Sequence, residues 1–515
     1  MSKEVNSTEK GWYRTSLDSE VERYWNGKTW SRKVRIVSNS KAQVKEFLET
    51  DPKPAFDWKA LFTRERIAFL ATALGLVVVG LVIWQSSIPP AINDQSMNHR
   101  TFPATPSPTN TKKPKPKFVE TSSLSETSVC KIEDQRIIRT QPNNVGFPLT
   151  PDIIPAVGTA DIIVIAVDFT DAPGEGSPAE FLNTQMNKIQ EWASFFSEGK
   201  LTFNFQTSPD WVHVPVASGG FNIDPEVANG PNAFRAIQQE MAQEIINATG
   251  SQFDWTNVDG VLFQFPSSIQ GVAKDLGDRG VAFSTPQGPK NLFFWGGGQY
   301  HHIDSGSLTK QTKQELTWAF WIHEMLHSQG LAQHSPGNGI QTSLANNQYG
   351  QSLVLDGWET FLLGWMPDEK VFCATTDQLG EANLILSPIE TQIPGNRMGV
   401  IKLSESEALV IESRRATGYS SGWQRDMNGI LVYRINTTLD NDRSQECCGD
   451  LGNDPAFTKW GYFLLPEGHV ADTSQGPNNQ HTKLMAKEGD KVVSDGITIE
   501  LIYSGDQDFV KITKQ

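Results

Sequence analysis

Five consecutive residues, His323-Glu324-Met325-Leu326-His327, carry the chemistry most readily read from this chain. Histidines four apart lie one turn above each other on the same face of a helix, so both imidazoles reach a single ion. Glu324 sits one step round the helix, placed to take a proton from water at that ion without being a ligand itself. Zinc suits such a pair, and the reaction it points to is hydrolysis by activated water. A surface helix with two unrelated histidines is the plain alternative.

The helix that must carry the group is visible around it. Residues 309–329 contain no Pro or Gly, and Leu316, Ala319, Phe320, Ile322, Met325 and Leu326 form a broad apolar stripe. Gly330 follows as the stop, where a positive φ turns the chain sharply. That turn would bring residues 331–334 back towards the metal. A catalytic zinc takes three protein ligands and keeps one position open. His334 is the nearest candidate for the third ligand. In the metzincin spacing H-E-x-x-H-x-x-G-x-x-H the third His would fall on Gln333, so the loop differs here, or the ligand lies elsewhere. Glu359 is the rival, as a downstream helical carboxylate, and Asp356 is a further one; an ordinary helix-surface carboxylate is the bland reading of Glu359. Tyr349 and His302 are candidates for a donor to the developing oxyanion.

With 515 residues the chain is long enough for two or three domains. Its charge is uneven. Residues 1–66 hold 14 Lys+Arg against 10 Asp+Glu and residues 85–130 hold 5 against 3, which leaves roughly −21 of the net −15 on residues 131–515. An acidic domain of that kind argues against nucleic-acid binding, which calls for a basic stripe. Residues 67–84 (IAFLATALGLVVVGLVIW) are 18 residues without a charge. At 1.5 Å per residue they span about 27 Å, enough for a bilayer core. Lys59, Arg64 and Arg66 crowd the N-terminal side, and the next basic residue beyond is Arg100. By the positive-inside rule the N-terminus stays cytoplasmic and residues 85–515 lie outside. Cys130, Cys373, Cys447 and Cys448 all fall on the outer side, as disulfides require. Neighbouring cysteines bond to each other only with strain, so Cys447 and Cys448 are expected to pair with distant partners.

Residues 85–129 are rich in Pro, Ser, Thr, Asn and Lys, a composition that buries no core and reads as a disordered stalk. Beyond it, residues 162–167, 201–206 and 260–265 read as strands, while residues 178–197 and 232–249 read as helices. This alternation describes an α+β domain over residues 130–372. From residue 373 the texture changes to short alternating runs at 383–386, 398–403, 408–412, 430–435 and 497–503, split by turn residues. They predict a β-rich domain of eight or more antiparallel strands. Asp440-Asn441-Asp442, with Asp450, Asn453 and Asp454, offers oxygen ligands for Ca2+, although the spacing matches no EF-hand loop.

Residues 1–60 form a small Trp-rich unit with its core at 10–35, including Gly11-Trp12-Tyr13 and Arg23-Tyr24-Trp25-Asn26-Gly27-Lys28-Thr29-Trp30. Asn26-Gly27 predicts a tight hairpin flanked by aromatics. The stretch resembles a short bacterial domain of unknown function, with the pattern G-W-Y…R-Y-W-[DN]-G-x-x-W, that sits on the cytoplasmic side of single-pass membrane proteins.

Residues 128–515 resemble the immune inhibitor A family of zinc metallopeptidases. The resemblance rests on Val167-Asp168-Phe169-Thr170-Asp171, on H-E-x-x-H-x-x-G from His323 to Gly330, on residues 358–365 (WETFLLGW), and on Ile430-Leu431-Val432-Tyr433-Arg434. It implies a zincin-like catalytic domain followed by β-rich structure, Zn2+ as cofactor, and endopeptidase activity on protein or peptide substrates. Family members often carry Leu-Pro-Asp after the glycine, where this chain has Leu331-Ala332-Gln333, and no methionine turn has a match. The expectation is a membrane-anchored extracytoplasmic zinc endopeptidase with Glu324 as base, His323, His327 and His334 as ligands, Glu359 as the alternative third ligand, and Tyr349 as oxyanion donor. Its rivals are a catalytically silent adhesin on the same scaffold and a transmembrane sensor with a cytoplasmic partner for residues 1–60.

Overall fold

A computed structural model describes residues 115–136, 143–221, 231–266, 268–269, 276–296, 316–332, 342–345, 352–421, 428–439, 460–468 and 484–515, together with three N-terminal strands. The chain divides into two compact units, residues 1–114 and 115–515. In the first, β1 (Gly11–Arg14), β2 (Val21–Trp25) and β3 (Trp30–Ile36) form an antiparallel sheet in that order. Trp25 stands opposite Trp30 across the expected hairpin. The apolar run at 67–84 and residues 85–114 of the stalk lie outside the described residues. Among those described, no helix is long and apolar enough to cross a membrane.

The second unit is mixed α+β. Its first half is built on β4 (Gly158–Phe169), β5 (Leu201–Thr207), β6 (Val212–Val214), β7 (Gly260–Gln264), β8 (Leu276–Thr285) and β9 (Gly288–Gly296). They form one sheet in the order β5-β4-β7-β9-β8, with β6 also beside β4. Every pairing is parallel except the β8–β9 hairpin. Such a sheet is buried on both faces, and β4 shows how. Ile162, Val164 and Ala166 face one core, with α1 (Ala179–Ser197) and α3 (Thr317–Ser328), whereas Ile163, Ile165 and Val167 face another, with α2 (Pro231–Thr249). The period-2 geometry of a strand therefore places the helix of interest on the same face as α1. Within α3, eleven of twelve residues are buried, and Glu324 is the half-buried exception.

The second half is a sandwich. One sheet has the order β10 (Val371–Thr375), β12 (Met398–Lys402), β13 (Glu407–Arg414), β14 (Gly429–Asn436) and β15 (Gly461–Phe463). The other has the order β11 (Glu381–Leu386), β18 (Asp508–Lys514), β17 (Ile497–Ser504) and β16 (Lys491–Ser494). All pairs are antiparallel except β10–β12, which is parallel. Ile401, Leu409, Ile411 and Val432 fill the space between the sheets. Val400, Val410, Leu431 and Tyr433 on the opposite face pack against Trp358 and Phe361 of α4 (Gly357–Leu362) and against Cys130 and Ile132.

Three expectations need correction. The stalk does not extend to residue 129, since Thr121 donates to the Asn383 carbonyl and Leu124 to that of Cys373, so this segment lies along the sandwich. Backbone hydrogen bonding to a strand overrides a loop-like composition. A boundary at 372/373 would cut β10, and the two halves share the core containing Cys130, Trp358 and Tyr433. Finally, Cys130 is bonded to Cys373 across 243 residues, so neither is the distant partner expected for Cys447 or Cys448, which lie outside the described residues. The two Cα atoms stand 5.9 Å apart, within reach of a disulfide.

Candidate metal centre

The group begins with the way α3 ends. Gln329 closes the helix, Gly330 takes φ +106°, the Gly330 N–H returns to the His327 carbonyl, and the Leu331 N–H reaches that of Leu326. These two bonds make a Schellman turn, which requires a residue tolerant of positive φ. Space enforces the same choice, because a Cβ on Gly330 would come within 2.8 Å of the Thr150 carbonyl oxygen. The turn swings the Leu331 carbonyl under the helix, where it lies 3.2 Å from His327 Nδ1. Asn143 Nδ2 also donates to that carbonyl, and Asn144 N donates to the Gly330 carbonyl at 2.7 Å.

His323 is held by another element. Its Nδ1 lies 2.7 Å from the carbonyl of Leu344, 21 residues on. A carbonyl only accepts, so each Nδ1 carries the proton, and in the neutral ring Nε2 presents a lone pair. The two Nε2 atoms stand 3.2 Å apart. Two zinc–nitrogen bonds of about 2.0–2.1 Å at a tetrahedral angle would separate their nitrogens by about 3.3 Å. Carbonyl support on the far nitrogen is also what orients metal-bound histidines. His323, Glu324 and His327 bring one ligand atom each within 4.8 Å of one another. The donor set therefore fits a zinc-sized cation, with the carboxylate at its edge.

The remaining candidates are distributed differently. His334, Tyr349 and His302 lie outside the described residues, as do residues 440–454 with their proposed Ca2+ ligands. Glu359 does not join the histidine group. It is the N3 residue of a capping box on α4, accepting the Asp356 backbone N–H at 2.9 Å and the Ser343 hydroxyl. Its other oxygen is buried with no hydrogen-bond partner among the described residues. Burial first, then the nearby Asp356 charge, pushes its carboxyl well above the usual carboxylate range. One of its oxygens is thus committed to the helix cap. Asp356 is committed as well, with Oδ1 accepting from Arg414 and Oδ2 from the Thr342 hydroxyl.

The structure adds a cluster that motif spacing did not single out. Arg414 is fully buried and contacts Asp356 at 2.9 Å, Glu390 at 2.8 Å and Glu412 at 3.0 Å. Burial raises Asp356 to about 6 and Glu412 to about 8, although Arg414 opposes both shifts. Burial alone would lower Arg414, but Glu390, Glu412 and Asp356 outweigh it and raise the group further. Glu412 also accepts the Gly357 N–H at 2.7 Å and the Tyr433 hydroxyl at 3.0 Å. A Cβ on Gly357 would meet Glu412 Oε2 at 2.8 Å, so a larger residue there would displace that carboxylate. One signal was present in the sequence. Strand period puts Glu412 and Arg414 on the face of Ala408 and Val410, which are core residues. A charged pair at inward positions must find partners.

Comparison with models of known protein families gives no match for this chain. Comparison with curated proteins gives none either.

Proposed function

We propose that this protein is a membrane-anchored zinc-dependent endopeptidase, with residues 115–515 as the hydrolase and residues 67–84 as the anchor that leaves the hydrolase outside the cytoplasm. One observation carries the reading: two histidines with carbonyl-fixed Nδ1 atoms face their Nε2 atoms at 3.2 Å, with Glu324 beside them. The resemblance of residues 323–330 to the immune inhibitor A family supports it.

When bound, zinc supplies Lewis acidity and makes water nucleophilic near neutral pH. His323 and His327 would hold the ion, each oriented through its Nδ1 by the Leu344 and Leu331 carbonyls. His334 is the proposed third ligand. Glu324 accepts a proton from the attacking water and passes it to the leaving amine as the peptide bond breaks. Glu324 is half-buried beside two buried imidazoles. Tyr349 is the proposed donor to the oxyanion.

The test compares full-length wild type with Glu324→Gln, measuring zinc content and cleavage of casein and a peptide library, with and without chelator. Stoichiometric zinc in both proteins, with chelator-sensitive cleavage only in wild type, is the expected outcome. Retained cleavage in Glu324→Gln removes Glu324 from the role of base. A metal-free wild type overturns the whole reading. Zinc without cleavage of any peptide favours the silent adhesin instead.

A further inference from the structure

We infer that Arg414, on β13 in the β-rich half, is a positioning residue for the metal centre that acts through residues 342–344 to fix the orientation of His323. The inference rests on the metal reading of the two histidines. It concerns what keeps one of them in place.

His323 takes its orientation from the Leu344 carbonyl, and that carbonyl belongs to a short segment bonded at each residue. Arg414 Nη2 donates to the Thr342 carbonyl at 2.7 Å and to Ser352 Oγ at 3.1 Å, while Ser352 Oγ donates to the same Thr342 carbonyl at 2.8 Å. The Thr342 hydroxyl donates to Asp356 Oδ2 at 3.0 Å, and Asp356 Oδ1 accepts from Arg414 Nη1. Thr342 is thus gripped at backbone and side chain by the two members of one ion pair. Ser343 Oγ donates to Glu359, and the Leu344 N–H donates to the Val354 carbonyl at 2.7 Å. The remaining edge of the guanidinium, Nε, donates to Glu390.

Only a planar fork makes these bonds in several directions at once; a lysine ammonium is a point donor on a flexible stem. Stability alone is a poor reason for such a cluster, because buried ion networks are often no more stabilising than apolar packing of the same volume. What the cluster provides is geometry. The Thr342 carbonyl is held two residues before the carbonyl that sets the His323 tautomer. Groups that orient metal-bound histidines in this way typically change metal affinity by about 10–100-fold when lost.

The experiment uses the full-length protein in detergent with Co2+ in place of zinc, reading the dissociation constant by chelator competition and the visible ligand-field spectrum. Arg414→Lys is expected to weaken binding by about 10–100-fold and to shift the spectrum, which reports coordination geometry rather than fold. Arg415→Lys serves as the control: Arg415 is the neighbouring arginine, bonded instead to Asp508 at 2.7 Å. It is expected to leave both readouts as in wild type. Thr342→Val removes only the hydroxyl bond to Asp356 and should shift both readouts in the same direction by a smaller factor. If Arg414→Lys fails to fold, Thr342→Val decides. Wild-type affinity and spectrum in a folded Arg414→Lys, or in Thr342→Val when that variant must decide, overturn the inference, as does equal weakening in Arg415→Lys. A wild type that binds no metal removes the metal reading itself, and the inference with it.

Discussion

The segments at 330–332 and 342–345 do the same job by different means. Each offers a leucine carbonyl to one imidazole of the pair. Leu331 reaches His327 through the turn that ends the same helix, four residues away, and residues 143–144 hold it from outside. Leu344 reaches His323 from 21 residues away, with its own N–H bonded to Val354 and the Thr342 carbonyl two residues before it held by Arg414 and Ser352. Two residues that look equivalent in H-E-x-x-H thus depend on unlike parts of the molecule. Local geometry secures His327, whereas long-range packing secures His323.

The largest effect should come from removing either imidazole. His323→Ala and His327→Ala should both abolish stoichiometric zinc binding, measured by metal analysis, and loss at only one position would break the symmetry of the pair. Opening the disulfide comes next. Cys130→Ser, which frees the end of a 243-residue closure, should cost about 2–5 kcal/mol of stability in thermal unfolding. Residues 143–144 follow Cys130 closely in the chain, so this variant should also disturb His327 more than His323 in an NMR titration of the imidazoles. Gly330→Ala should cost about 2 kcal/mol from the positive φ and the close Thr150 carbonyl. Its effect should again fall on His327 first, and equal disturbance of both rings would refute the local account.

A pH series sharpens the other side of the comparison. Glu412 has its carboxyl raised from 4.5 to about 8 by burial, so between those values the folded chain holds a proton that the unfolded chain has released. The contribution is complete below about pH 4.5 and vanishes above about pH 8, so stability falls as pH rises through that window. Glu412→Gln should flatten the fall in melting temperature between pH 5 and 8, and an unchanged slope would exclude Glu412 as its source. The smallest effect belongs to Asn143→Ala. It removes one donor to the Leu331 carbonyl and should weaken metal binding by about threefold, since one neutral hydrogen bond contributes roughly 1 kcal/mol or less.

Much of the first half was legible because its signals are periodic. Residues 162–167 read as a buried strand and lie within β4, and the run at 178–197 falls on α1. The β8–β9 hairpin was missed, because Leu276–Thr285 carries Gly and Asp where a strand pattern would show apolar residues. In the second half the short alternating runs located β11, β12, β13, β14 and β17, whereas β10, β15, β16 and β18 went unnoticed. β10 is apolar at consecutive positions because both faces are buried, which hides the alternation. The cysteine pairing was unreadable for a different reason, since four cysteines allow three connectivities and no local pattern chooses among them.

The sequence by itself determined the helix, the spacing of His323 and His327 on one face, the flanking Glu324 and the glycine that stops the helix. All of these depend on bonds within a few residues, so periodicity and turn chemistry suffice to write them. Tertiary structure alone decided which carbonyl fixes His323, that Glu359 stands outside the histidine group, and that Cys130 meets Cys373. It also decided that Arg414 grips the Thr342 carbonyl, two residues before the one that meets His323. Those contacts join residues up to hundreds of positions apart, and only close packing of the two halves brings them within hydrogen-bonding distance.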